Sequence, residues 1–305
     1  MTMQELRGKL VSSSGIEAFS KFVKEFSREL EERKKEFRDI VSTLNFRKVK
    51  VGREKKKWAL SVLEGVKVTG VDGSQVSPLR EFGIPAGAVQ VAAYTVFHGS
   101  GEWDVKYISR ITKLEENIDV VRYEMEMKLL SEVCESGYVF YDGSLTPSFA
   151  RDMREELKER YFKAVKLAVR VSEEKRAPVV GYTDRTYAKD VARANGLDVY
   201  DAFLLSDMEV MSYTEPVELG DICFCYARFT PSLPSRVEVP AWAKSRMGKI
   251  MRVVCAECML GSTYAYPFVL ERAHAYAKIS EREREYLARK VGIMSLSFKW
   301  VSKVV

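Results

Sequence analysis

Residues 66–75, Val-Lys-Val-Thr-Gly-Val-Asp-Gly-Ser-Gln, constrain this chain more than any other stretch. They read as a β-branched strand that delivers one carboxylate, Asp72, onto a Gly-Ser turn. Residues 137–145, Gly-Tyr-Val-Phe-Tyr-Asp-Gly-Ser-Leu, repeat the device and bring Asp142 to the same kind of turn. A short apolar strand is buried, and an acid at its end sits where the core meets water. If the two strands lie side by side, the carboxylates converge. Converging carboxylates repel unless a cation neutralises them, so the natural occupant is Mg²⁺ or Mn²⁺.

The rest of the composition permits such a site without demanding it. The chain has 305 residues, of which 46% are hydrophobic and 30% charged, enough for a large core and a soluble surface. Its apolar runs are too short for a membrane span, and its start lacks the apolar segment of a signal peptide, so a cytoplasmic location is expected. The net charge of +6 allows a polyanionic partner. Scarce Gln and Asn beside abundant Lys, Arg and Glu lean thermophilic. The five cysteines are an odd number, which argues against a disulfide framework. Cys223, Cys225, Cys255 and Cys258 could make a four-sulfur zinc site, but their apolar, alternating context favours buried thiols.

Along the chain, residues 1–60 read as a helical, basic extension, helical and charged over 10–60, ahead of a domain spanning residues 61–305. Phe19, Phe22, Phe26 and Leu30 recur at helical spacing and suit either a partner subunit or the chain's own domain. Arg47, Lys48, Lys50, Arg53, Lys55, Lys56 and Lys57 then crowd together. A basic lip beside an acidic metal site is what a phosphodiester needs, and Trp58 could stack on a base. Residues 78–85 read as a loop, 89–97 and 103–108 as a strand pair joined by a hairpin, 115–135 as a helix, and 138–141 as the strand carrying Asp142. A helix over 149–174, a strand over 178–182, a helix over 186–195 and a short helical or irregular piece over 201–211 follow. Then come a strand over 222–229, a helix over 241–258 and helices over 267–278 and 281–291. A strand, a hairpin and then alternating helices and strands make a mixed α/β sheet flanked by helices. This is the ribonuclease H-like plan, in which the first and fourth strands are central neighbours.

A two-metal site needs three or four carboxylates. The intervening helix offers Glu124 and Glu126. Glu126 shares its face with Leu129, Leu130 and Val133; Glu124 shares its face with Lys128, and the pattern leaves the choice open. Near the C-terminus, Tyr266 and His274 are separated by eight residues, about 80° of rotation and about 12 Å of rise on a helix, so both can line one groove.

The first Asp-Gly-Ser-Gln, the acidic helix, the second Asp-Gly-Ser and the closing Tyr-Pro-x-x-Leu-x-x-Ala-His resemble the NurA nucleases over roughly residues 67–280. The resemblance implies a homodimer with a central channel and a Mn²⁺-dependent DNA nuclease. It implies 5′–3′ exonuclease and single-strand endonuclease activities, and docking on a hexameric HerA-type helicase in double-strand-break resection. On this chain it matches Asp72, Asp142 and one of Glu124 or Glu126 to metal-binding acids, and Tyr266 and His274 to the C-terminal pair. Apart from the resemblance, Arg185 after the fifth strand is a candidate phosphate contact, and residues 295–305, with Phe298 and Trp300, suit either partner contacts or the chain's own core. Two alternatives remain: a catalytically silent docking subunit, and a ribonuclease H-like enzyme acting on RNA.

Overall fold

The computed structural model describes residues 13–77, 86–113, 115–146, 153–261, 265–283 and 286. Strands β2 (Lys67–Val76), β3 (Ala86–Phe97) and β4 (Glu102–Lys113) form an antiparallel meander. The turn between β3 and β4 needs Gly99 and Gly101, whose φ values of 88° and 78° disfavour any side chain. Helix α3 (Ile118–Val133) then crosses to β5 (Tyr138–Asp142), which lies parallel to β2. Asn117 starts α3 by accepting from the backbone N–H groups of Asp119 and Val120, both at 3.1 Å. Helix α4 (Glu155–Lys175) leads to β6 (Val179–Thr183), parallel to β5. The first and fourth predicted strands are therefore central neighbours.

Beyond β6 the sheet continues further than expected. β10 (Ser235–Pro240) pairs antiparallel with β6, and β9 (Ile222–Arg228) with β10. β7 (Ser212–Thr214), β8 (Val217–Leu219) and β1 (Phe46–Lys48) complete ten strands among the described residues, in the order β1-β7-β9-β10-β6-β5-β2-β3-β4 with β8 on β9. The sequence conceals β10 because Ser-Arg-Val-Glu-Val-Pro reads as half-solvated, yet every one of its residues is buried. The predicted helix at 186–195 shrinks to α5 (Asp190–Ala194), because the Asp201 carboxylate accepts from the N–H groups of Val191 and Ala192 and fixes the start there. Residues 241–258 divide into a 3₁₀ segment, Ala241–Arg246, and α7, Met247–Leu260.

Side chains alternate between the two faces of the sheet. Val68, Phe140 and Val180 pack against α2 (Lys55–Leu63), α7 and α8 (Phe268–Ala277). Val71, Val139 and Tyr141 pack against α3 and α4. The result is three layers, helix–sheet–helix. No helix among the described residues is long and apolar enough to cross a membrane. The four cysteines Cys223, Cys225, Cys255 and Cys258 sit free in the first of these cores, where burial pushes the Cys225 and Cys255 thiols up to about 12.

The N-terminal helix α1 (Ser13–Thr43) buries Phe37 edge-on against Phe203, but Phe19, Phe22 and Phe26 stand exposed. The basic run does not form one lip. Arg47 and Lys48 lie on β1 at the sheet edge remote from β2, held by Glu215 and Glu209. Trp58 packs half-buried on the core. Residues 78–85, 295–305 and most of 281–291 lie outside the described residues.

Helix α8 crosses β2 at Gly70, where a Cβ would stand 2.3 Å from the Val269 carbonyl oxygen. Backbone cannot yield there as a flexible side chain could. Gly70→Ala is expected to destabilise the protein by about 1–3 kcal/mol through overpacking, read as a lowered midpoint in urea denaturation. An unchanged midpoint would show that α8 is free to lift off the strand.

Candidate metal centre

The two strands place the carboxylates by register. Pairing of β2 with β5 ends at Val71 and Tyr141, so Asp72 and Asp142 are the next residues on adjacent parallel strands, and alternation turns both toward α8. The two Asp-Gly-Ser segments differ from the expectation in one respect. Residues 72–74 do not turn: β2 continues to Val76 because β3 pairs with it along its whole length. Only the second segment turns, with Gly143 at φ 150°. Asp72 is consequently a mid-strand residue, 6% exposed, while Asp142 is half-buried at a strand end.

Helix α8 brings the third group. His274 Nδ1 lies 2.7 Å from Asp72 Oδ2, and Gly73 N–H donates to Asp72 Oδ1 at 2.7 Å. One donor atom from each of Asp72, Asp142 and His274 falls within 4.8 Å of the others. The Tyr266 hydroxyl donates to Asp142. Helix α8 is tethered at both ends. At its start, Val269 N–H donates to Glu257, whose other oxygen meets the buried His98 at 2.6 Å. At its end, the Gln90 amide donates to the carbonyls of Tyr276 and Ala277 at 3.3 Å. These ties hold His274 over the strand ends.

The two helix glutamates part company. Glu126 is 4% exposed and approaches from the opposite face; a Cβ on Gly73 would stand 2.4 Å from its Oε1. Glycine at 73 is what lets this carboxylate reach the strand. Glu126 accepts from the Tyr141 hydroxyl at 2.8 Å and has Arg122 Nε at 3.6 Å. Glu124 instead faces α4, where Arg160 grips both its oxygens at 2.8 and 2.6 Å. The structure thus brings Asp72, Asp142, His274, Tyr266 and Glu126 toward one centre and leaves Glu124 outside it.

Two further acids escaped the sequence reading. Asp184 follows β6 as Asp142 ends β5, and its charge helps to raise the Asp142 pKa. Its signal was present: a third apolar strand closing on an acid. Glu238 gave no signal. From β10 it accepts from Ser144 Oγ (2.9 Å), Leu145 N–H (2.5 Å) and Thr146 N–H (2.9 Å), and from Arg236 Nε at 2.6 Å. It pins the turn that follows Asp142. A cavity of about 950 Å³ opens beside the centre, lined among others by Asp142, Asp184, Arg185, Tyr266 and His274.

Burial, and then the charge of Asp72, push the Asp142 pKa up to about 6. Burial pushes Glu126 up to about 8, with Arg122 opposing and Asp72 reinforcing. The hydrogen bond to Asp72 raises His274, against the effect of burial. Asp142 and Glu126 are thus acids desolvated by burial and further raised by the charge of Asp72, while His274 is raised by the carboxylate it bonds.

An antiparallel meander at one end of the sheet, parallel strands at its side and acids meeting at the strand ends beneath a C-terminal helix define a ribonuclease H-like domain. Within that class, the NurA domain pattern matches residues 66–279, and the chain belongs to the NurA family. Its fold is similar to the crystal structure of NurA bound to dAMP and manganese, at 12% identity and a TM-score of 0.50, covering 94% of this chain and 98% of that one. It is equally similar to the crystal structure of NurA, at 13% identity and a TM-score of 0.51, covering 92% of this chain and 97% of that one. A comparison with curated proteins finds no match.

Two outcomes follow from this geometry. Glu238→Ala would leave the buried Arg236 with only Asp190 and the Tyr226 hydroxyl as partners and would unpin the turn after Asp142, an effect of about 1–3 kcal/mol. It should be read in denaturation, with Glu238→Gln retaining part of the stability; equal stability of wild type and Glu238→Ala would refute the anchoring role. For the pH dependence, Asp142, Glu126 and His274 all have folded-state pKa values above their unfolded ones. The folded protein holds these protons more tightly, so stability is lost as pH rises through the folded values. In EDTA, Tm should fall from about pH 5 to about pH 8, and Glu126→Gln should flatten the upper part of that decline. A Tm that climbs across this window would contradict the assignment.

Proposed function

We propose that this chain is a Mn²⁺-dependent DNA nuclease. The observation that carries the proposal is the convergence of one donor atom each from Asp72, Asp142 and His274 within 4.8 Å. The residues fit a hard divalent cation: two carboxylates and an imidazole, with a buried third carboxylate, Glu126, close behind. The raised pKa values of Asp142 and Glu126 express burial first and the nearby charge of Asp72 after it, and a bound cation offsets both. Membership of the NurA family and the manganese and dAMP bound in a structure of similar fold support the choice of ion and of a nucleotide substrate. Mg²⁺ is the alternative ion.

In this reading Asp72 and Asp142 would hold the metal, Asp72 would be the shared ligand were two ions bound, and Glu126 would fix the second ion or its water. The cation, when bound, polarises the phosphate and acidifies a water for in-line attack. His274, held by Asp72, either completes the ligand set or gives its proton to the leaving 3′-oxygen. Tyr266, held by Asp142, orients the phosphate. Arg185, on the wall of the same cavity, supplies positive charge for the flanking backbone. The family resemblance supports finer proposals. These are 5′–3′ exonuclease action on single- and double-stranded DNA, single-strand endonuclease action, a homodimer, and a hexameric HerA-type helicase as partner in end resection in the cytoplasm.

The test is incubation with end-labelled single- and double-stranded DNA, with and without Mn²⁺. Asp72→Asn and Asp142→Asn should each lower cleavage by more than about 100-fold, beyond what loss of an outer-sphere group causes. Either variant degrading DNA at the wild-type rate would refute the proposal.

A further inference from the structure

We propose that Tyr187 and Tyr200 form a subsite for an unpaired nucleobase, on a strand whose phosphate lies at the Asp72–Asp142–His274 centre. The proposal rests on the nuclease reading and names which form of nucleic acid the centre accepts. Both tyrosines line the same 950 Å³ cavity as Asp142, Tyr266 and His274. That volume is at the upper end of the roughly 300–1,000 Å³ of ligand pockets, room for a phosphate and groups beside it.

The tyrosines are exposed but not loosely held. Tyr187 is 76% and Tyr200 47% exposed, and their rings meet edge to face with centroids 5.4 Å apart. The fully buried Asp201, next to Tyr200, binds both segments. Its N–H donates to the Ala188 carbonyl at 2.9 Å, and its carboxylate accepts from Val191 N–H, Ala192 N–H and the Tyr226 hydroxyl. One buried acid thereby fixes the residue after Tyr187 beside the residue after Tyr200. Lys189 Nζ lies 5.1 Å from the Tyr200 ring centre and salt-bridges Asp198. The Arg185 guanidinium, 88% exposed, projects from the same loop.

An aromatic face kept in water by a rigid anchor is available to another π-face. Every base offers one, so the contact is sequence-tolerant. In a duplex both faces of a base are occupied by its stacked neighbours. Only an unpaired or splayed base can therefore use this platform. Arg185 meets the phosphates on either side. The aromatic residue favoured by sequence, Trp58, is packed on the core and lines none of this cavity.

The experiment compares two fluorescent strands of equal length, oligo-dT and its abasic counterpart, bound to the full chain in EDTA and followed by anisotropy. Wild type should bind oligo-dT about tenfold more tightly than the abasic strand. Tyr187→Ala and Tyr200→Ala should bind both strands as wild type binds the abasic one, while Tyr187→Phe and Tyr200→Phe keep the preference. Arg185→Ala should weaken both strands alike. A wild-type preference retained in both alanine variants overturns the proposal, as does an equal loss on a closed-ended duplex. Degradation of the same oligo-dT by wild type with Mn²⁺ is followed in parallel. If wild type degrades it and the preference is unaltered in the variants, only this inference fails. If wild type neither binds nor degrades it, the nuclease reading fails and the subsite with it.

Discussion

The electrostatic repulsion between Asp72 and Asp142 is the constraint on which the rest of the site depends. Backbone pairing of two parallel strands forces the carboxylates together, because the register that buries Val68, Val71, Phe140 and Tyr141 leaves no other place for the next residue on each strand. Neither acid can turn away without pulling an apolar neighbour out of the core. The surroundings answer with donors: the Gly73 amide and His274 for Asp72, and the Tyr266 hydroxyl for Asp142. These soften the repulsion, yet burial, and after it the charge of Asp72, still hold the Asp142 pKa above its ordinary value. A site in this condition binds cations readily, since a divalent ion relieves what the protein's own donors do not.

Around that pair, the tertiary structure is arranged for close approach. Gly70 allows the C-terminal helix to lie directly on the strand, and Gly73 allows Glu126 to come up from the other face. Both are strand glycines, weak by propensity, and both are explained by what passes over them. Buried acids hold the periphery in the same manner. Glu257 secures the start of the helix that bears His274, Glu238 secures the turn after Asp142, and Asp201 secures the loop of Tyr187 and Tyr200. Each acts by accepting from backbone N–H groups that would otherwise be orphaned in the interior. The buried acids around the site thus divide into those that serve the fold through satisfied hydrogen bonds and those that a cation would neutralise.

Much of the central architecture was legible in the sequence. Period-two alternation and β-branched residues marked β2, β3, β5 and β6, and helical spacing marked α1, α3, α4 and α8. Sequence reading also placed Asp72 and Asp142 on neighbouring strands. It did not find β1, β7, β8 or β10. Three of these are too short to show a period, and β10 carries an arginine and a glutamate that are buried because they pair with each other and with Asp190, Tyr226 and the turn after Asp142. The split of the basic run was equally hidden, since its acidic partners Glu209 and Glu215 lie more than 150 positions away.

The sequence by itself determined the strand ends and the acids upon them, because local propensity and alternation are properties of a few consecutive residues. It also carried the ordered motifs by which the family is recognised. Tertiary structure alone decided that Glu126 turns to the centre while Glu124 turns to Arg160, that Asp72 lies within a strand, and that Asp184 joins the acids. Those outcomes depend on which helix packs on which face and on where a partner strand stops pairing. Such facts arise from contacts between segments tens to hundreds of residues apart, and no short window of sequence contains them.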